Sequence, residues 1–287
     1  MDNNPVTNKS TSADSFDITQ AKSRCRRLRK RILDVSQSVS ALHIAPAFSC
    51  LEIVDAIYHG VMIAKDDGYA DTFIMSKGHG YMAQLVVLED LGILPKRYLD
   101  QYCTRDGELG AHPDLGIPGI AAATGSLGHG LGIGLGMALA ERVAANANDS
   151  LPGNIYVVLS DGELQEGSTW ENTLLASSHS VSNIVAIIDN NDFQSLGRTS
   201  ETHPSFYPLA PKFEAFGWDA IEVDGHDSRA LVGAINSRGA NAPLAVIAAT
   251  TKGKGVSFME NVPIWHYRSP DTREFEIAMR ELEEISE

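Results

Sequence analysis

Two periods alternate along this chain. Residues 18–39 set charged and apolar side chains at helical spacing, and residues 50–61 do so again, so a helix is expected over each. Residues 71–76 carry a short apolar centre, Phe73-Ile74-Met75, suited to a buried strand, and residues 81–91 read as a helix stopped by Gly92 and Pro95. Further on, 155–159 and 184–188 are apolar, β-branched runs that predict strands, with helical character over 169–178 between them. Two more strands are expected at 220–223 and 245–249, and residues 271–287 read as a short acidic amphipathic helix. Strands joined through helices pair in parallel by right-handed crossovers. The order of elements therefore predicts an α/β fold, a doubly wound, mostly parallel sheet with helices on both faces. There is no internal repeat or low-complexity linker, so 17–287 is expected to be one domain behind a polar, disordered tail over 1–16.

The 287 residues, 43% of them hydrophobic, are ample for one large core. A net charge of −14 argues against nucleic acid or an anionic membrane surface as the main partner, because neutralising phosphates takes clustered Lys and Arg. One local exception is Arg24, Arg26, Arg27, Arg29, Lys30 and Arg31, read as the solvated face of the first helix or a contact for an acidic partner. Cys25, Cys50 and Cys103 form no C-x-x-C pair and suit a reducing cytoplasm. No apolar stretch is read as long enough to cross a bilayer, and the start lacks the apolar core of a signal peptide, so a soluble cytoplasmic protein is expected.

Ligands of open parallel sheets gather at the carboxyl ends of strands. Asp161, in Ser160-Asp161-Gly162, and Asn191, in Asp189-Asn190-Asn191, both fall at such ends. A carboxylate and an amide oxygen, completed by water and a diphosphate, make an oxygen-only shell suited to a hard cation such as Mg²⁺. Gly162 lets backbone approach a phosphate with no side chain in the way. An isolated Asp-Gly is most often a turn; its pairing with Asn190-Asn191 at the next strand end favours the metal reading. His43, His79, His112, His129 and His266 could each be hydrogen-bonded packing residues when taken singly.

Asp161-Gly162 followed after a helix and a strand by Asn190-Asn191 resembles the diphosphate–metal motif of thiamine-diphosphate enzymes. Ser76-Lys77-Gly78-His79-Gly80, Gly110-Ala111-His112-Pro113, the segment from Thr124 to Gly130, that from Asp161 to Gly167, and Lys252-Gly253-Lys254-Gly255 followed by His266 narrow the resemblance to the transketolases, over roughly 18–268. The resemblance implies a thiamine-diphosphate-binding fold, specifically the domain that holds the diphosphate. It implies Asp161 and Asn191 as side-chain ligands of Mg²⁺ or Ca²⁺, with the backbone carbonyl of Phe193 as a third. It assigns His79, Gly162 and, less directly, Lys252 to the diphosphate, Gly125 and Leu127 to the aminopyrimidine, and His43, His112 and His266 to substrate and proton transfer. Neutral imidazoles suit that work. Glu166 corresponds to a glutamate that meets the activating glutamate across a subunit interface; otherwise it is an exposed acid at a helix start. His129, within the glycine-rich loop, is read as structural or at an interface.

Transketolases of full length carry a pyrimidine-binding domain and a third domain beyond it, whereas this sequence ends at Glu287, shortly after His266. The expectation is therefore a split enzyme, in which a C-terminal (β) subunit supplies the activating glutamate within an α2β2 heterotetramer acting on sugars or sugar phosphates. Three departures from the family pattern bear on substrate. Phe48 could narrow the channel or pack in the core, Tyr267-Arg268 follow His266 where a small residue is usual, and Ser160 replaces a glycine. The alternatives are an acyloin-forming or deoxyxylulose-type enzyme using a 2-oxo acid, and a non-catalytic cofactor-binding scaffold.

Overall fold

The computed structural model describes residues 16–65 and 68–284. Five parallel strands run in the order β1-β2-β3-β5-β4, where β1 is Thr72–Met75, β2 Ile155–Ser160, β3 Ile184–Asn190, β4 Asp219–Asp224 and β5 Leu244–Ala249. Alternate strand residues feed two cores. Phe73, Tyr156, Val158, Val185, Ile187 and Val246 pack under α1 (Ile18–Ser36), α2 (Ile44–Ala56), α3 (Tyr81–Asp90), α6 (Ser228–Asn236) and α7 (Thr272–Glu284). Ile74, Val157, Leu159, Ala186, Ile188 and Ile247 pack under α4 (Gly130–Asn148), α5 (Gly167–Ser178), Phe213 and Trp218. Covering both faces explains why the inner strands are apolar throughout. The chain passes from β3 to the edge strand β4, then returns through α6 to fill the gap with β5. Crevices for ligands open at the carboxyl ends of strands where a doubly wound order reverses in this way.

Four expectations need correction. The second helix begins at Ile44, not near residue 50, because Pro46 falls in its first turn, where a missing N–H breaks no helical bond. Together with the π-helical turn Ile57–Val61 it makes a segment long and apolar enough by length and composition to cross a membrane; 89% of it is buried inside the protein, as a core helix. Helix α4 has no counterpart in the sequence pattern. Glycines at 130, 132, 134 and 136 lower its intrinsic helicity, yet Gly134 lies directly against Val157 on β2.

The cationic run on α1 is not a solvated face. Arg24 pairs with Asp55, Arg27 with Asp90, Arg29 with Glu52, Lys30 with Glu283, and Arg31 with both Glu89 and Asp100. The run stitches α1 to α2, α3 and α7. Phe48 is fully buried under the Arg29 guanidinium, so it packs the core and narrows no channel. The tail expected over 1–16 lies outside the described residues except for Phe16, which is buried against Gly60.

Candidate active site

The register between β2 and β3 pairs Ser160 with Asp189, so Asp161 and Asn191 emerge side by side at the carboxyl edge. Asp161 is buried; its carboxylate accepts hydrogen bonds from Gly162 N at 2.9 Å and from Tyr207 Oη at 2.8 Å. Burial pushes its pKa up to about 7 against the opposing effect of those bonds. Asn191 donates through Nδ2 to Ser49 Oγ (3.0 Å) and Asp189 Oδ2 (3.1 Å). Its Oδ1 accepts from Phe193 N at 3.0 Å and keeps a second lone pair.

Gly162 faces the Phe193 carbonyl so closely that a Cβ there would lie 3.4 Å from that oxygen and 3.2 Å from Gln194 Cα. Carboxylate, amide and carbonyl thus converge as an oxygen-only donor set, with a carboxylate whose burial a cation would offset. These residues fit a hard divalent ion such as Mg²⁺ or Ca²⁺.

Beneath this edge lies a network that sequence reasoning missed. Lys77 and Asp189 are both fully buried and form an ion pair. Asp189 also accepts from Ser49 Oγ at 2.8 Å and from Thr250 Oγ1, while Lys77 donates to the Pro46 carbonyl at 3.2 Å. One carboxylate therefore ties α2, the loop after β1, the end of β3 and the loop after β5 together. Lys77 stands in the Ser76–Gly80 motif and Asp189 beside Asn190-Asn191, so position in a motif was the available signal. Glu163, also buried, accepts from Ser76 Oγ and from Gly128 N at 2.9 Å, clamping the glycine-rich loop to the end of β1.

The structure brings four of the expected histidines together. The His43 ring lies 5.4 Å from that of His266, 5.7 Å from His112 and 6.3 Å from His79, and His79 lies 5.4 Å from His266. Beside them opens a cleft of about 380 Å³ lined by His79, Leu127, Gly162, Phe193 and His266. Gly78, Gly125 and His112 lie against one another, since a Cβ on Gly78 would meet Gly125 Cα at 2.6 Å; Gly125 itself has φ +117°. Two motif loops can approach this closely only as glycines. His129 sits outside the cluster with Nδ1 against the carbonyls of Ser126 and Leu127, a structural placement.

Burial, reinforced by neighbouring cations, keeps His43, His79 and His266 neutral. His43 is lowered to about 4 by burial and His112, His266 to about 3 by burial and Lys252, and His79 well below the ordinary value by burial and Lys77. Lys252, lowered to about 8 by burial and Lys77, donates from Nζ to Ser195 O at 2.9 Å and lies 3.0 Å from His266 Nδ1. When the ammonium donates to Nδ1, the remaining proton of His266 is left on Nε2.

Stability should follow pH accordingly. Besides burial, His112, Lys77 and Lys252, all bases, disfavour a positive charge on His43. Between pH 6.5 and about 4 the unfolded chain binds a proton at residue 43 that the folded chain refuses, so stability falls as pH falls through that window. Melting scans at pH 7 and pH 5 should show a larger loss for the wild type than for His43→Asn; equal losses would contradict the assignment.

Among the remaining candidates, Glu166 is exposed at the start of α5, packs its stem on Gly128, and makes no hydrogen bond through its carboxylate among the described residues. Tyr267 lies over the His43 ring at 4.4 Å and is 52% exposed, so it forms the outer edge of the histidine cluster. Arg268 is engaged within the chain: its Nη2 bonds both Glu274 carboxylate oxygens at 2.7 Å, and its guanidinium stacks on Trp265. Ser160 is accommodated by accepting from Glu163 N at 3.2 Å.

Residues 21–269 match the family described as transketolase, thiamine diphosphate binding domain. The chain is 36% identical over 262 residues to an apulose-4-phosphate transketolase subunit of Phocaeicola vulgatus, covering 89% of this chain and 91% of that protein. It is 33% identical over 265 residues to a 6-deoxy-6-sulfo-D-fructose transketolase subunit of a Clostridium species, covering 89% and 94%. Transketolase from Campylobacter jejuni shares the fold at a TM-score of 0.82 and 24% identity; the alignment covers 93% of this chain and 43% of that longer one. The parallel sheet, the paired strand ends and these matches lead to one assignment: the chain belongs to the transketolase family, as a thiamine-diphosphate-dependent transferase subunit.

Proposed function

We propose that this chain binds thiamine diphosphate with Mg²⁺ or Ca²⁺ and, with a second polypeptide carrying the pyrimidine-binding domain, transfers a two-carbon ketol unit from a ketose to an aldehyde. The observation that carries this reading is the convergence of four histidines beside the oxygen-donor edge of Asp161 and Asn191. Asp161, Asn191 and the Phe193 carbonyl would hold the metal. His79, Gly162 and Lys252 would meet the diphosphate, and Gly125 and Leu127 the aminopyrimidine. When bound, the cofactor supplies the nucleophilic carbon that carries the two-carbon unit.

The chain's own part is orientation and proton movement. Neutral His266, with Nδ1 occupied by Lys252, presents its Nε2–H as a proton donor to a substrate oxygen. His43, whose Nδ1 is buried with no hydrogen-bond partner among the described residues, faces the same space, and His112 stands ready to donate to a carbonyl oxygen. Glu166 offers a free carboxylate beside the glycine-rich loop, where a C-terminal (β) subunit would bring its activating glutamate, in an α2β2 assembly. The names of two relatives, an apulose-4-phosphate and a 6-deoxy-6-sulfo-D-fructose transketolase subunit, support an anionic sugar as substrate. Because Arg268 is held by Glu274, the cations that grip its anionic group belong to the partner in this proposal.

The test is His266→Ala in the reconstituted enzyme. Turnover should drop by about 10²–10⁴-fold, the usual worth of a positioned acid–base group. Metal-dependent binding of thiamine diphosphate, followed by calorimetry, should change little. Undiminished turnover would remove His266 from proton transfer.

A further inference from the structure

A second cavity, of about 300 Å³, lies between the start of α1 and the loop that follows β5, and shares no lining residue with the catalytic cleft. Lys22, Arg26 and Lys254 stand on its wall, and Arg29, Glu52 and His226 on its floor. Glu52 is the acid among its lining residues and is already engaged. Its carboxylate takes Arg29 Nη1 at 2.6 Å, Arg29 Nη2 at 2.8 Å and His226 Nδ1 at 3.0 Å. Lys22 and Lys254 have no acidic partner among the described residues, and Arg29 Nε is buried without a hydrogen-bond partner. In a chain of net charge −14, a half-open pocket walled by ammonium groups that no acid offsets among the described residues is not the average surface.

The loop that carries Lys254 also serves the catalytic site. Thr251 N donates to His226 Nε2 at 2.8 Å, which leaves the Nδ1 proton of His226 for Glu52. Lys252 reaches His266, and Gly253 N donates to Ala45 O at 3.1 Å, two residues beyond His43. A ligand touching Lys254 would thus press on the backbone that positions Lys252.

We propose that this cavity binds a compact polyanion, a diphosphate or a small bisphosphorylated metabolite, held by Lys22 and Lys254. Its size sits at the small end of ligand pockets, about 300–1,000 Å³, which suits such a molecule better than a nucleotide or a peptide. Charge-assisted bonds from the two ammonium groups would supply the recognition.

Inorganic pyrophosphate is the probe, titrated calorimetrically into the purified full chain in EDTA, without thiamine diphosphate or partner. Wild type and His79→Ala should bind alike, whereas Lys22→Ala/Lys254→Ala should bind about tenfold more weakly or worse, a loss of about 1.4 kcal/mol or more. Matching circular dichroism melts would show that the paired variant folds. Mass spectrometry of acetylated wild type gives a second readout that needs no variant, because pyrophosphate should protect Lys22 and Lys254. Absence of binding, binding lost in His79→Ala but kept in the lysine pair, or unprotected lysines would each overturn the proposal.

Discussion

Asp161→Ala is expected to lower ketol transfer by about 10³-fold or more, equivalent to about 4 kcal/mol of transition-state stabilisation. The carboxylate is the only formally charged member of the donor set formed with Asn191 and the Phe193 carbonyl, so its loss should abolish metal-dependent binding of thiamine diphosphate. The fold should not suffer. Asp161 is buried, and burial pushes its pKa up to about 7, so the protein bears a desolvation cost that Ala removes, against the loss of its bonds from Tyr207, Gly162 and the Asp192 backbone. A melting temperature equal to or above that of the wild type, together with lost activity, is the expected signature of a functional residue held at a stability cost. Activity within a few-fold of wild type would remove Asp161 from the metal site.

Lys77→Met is expected to produce the largest stability loss, about 3–5 kcal/mol, because it leaves the Asp189 carboxylate buried without its cation. Asp189 holds four segments together, so the loss should spread to the cofactor edge through Ser49, Asn191 and Thr250. Adding Asp189→Asn removes the stranded charge while keeping an oxygen acceptor. Denaturant midpoints for Lys77→Met, Asp189→Asn and the double variant should show the double recovering part of the loss of the first. Strict additivity would mean that the two groups do not act as a pair.

The parallel sheet was legible because its strands are short apolar runs bounded by turn residues, and because strands that alternate with helices leave few topologies. Helix α4 was not, since its glycines carry the signal of a loop while serving as a close-packing edge against β2. The start of α2 was hidden by Pro46, which marks a break only to a reader who does not place it in a first turn. The arginines of α1 were misread for a different reason: Asp55, Asp90 and Glu89 stand 31, 63 and 58 residues from their partners, and no local pattern encodes such pairing.

At the site, Asp161 and Asn191 could be found from strand ends, and the histidines from motif order. The neutrality of His43, His79 and His266 could not, because it comes from burial and from Lys77 and Lys252 converging in three dimensions. The Lys77–Asp189 pair, 112 residues apart, had only its motif neighbourhood to announce it.

Ketol transfer by this chain should require a second polypeptide. The direct measurement is an assay of the chain alone, and of the chain mixed with the polypeptide encoded beside it, both with thiamine diphosphate and Mg²⁺. Donors should span phosphorylated, sulfonated and uncharged ketoses with an aldehyde acceptor. Ketol transfer in the mixture alone, strongest with an anionic donor and absent with Asp161→Ala, is the expected result. Full transfer by the chain alone would contradict the claim that the activating glutamate comes from a partner.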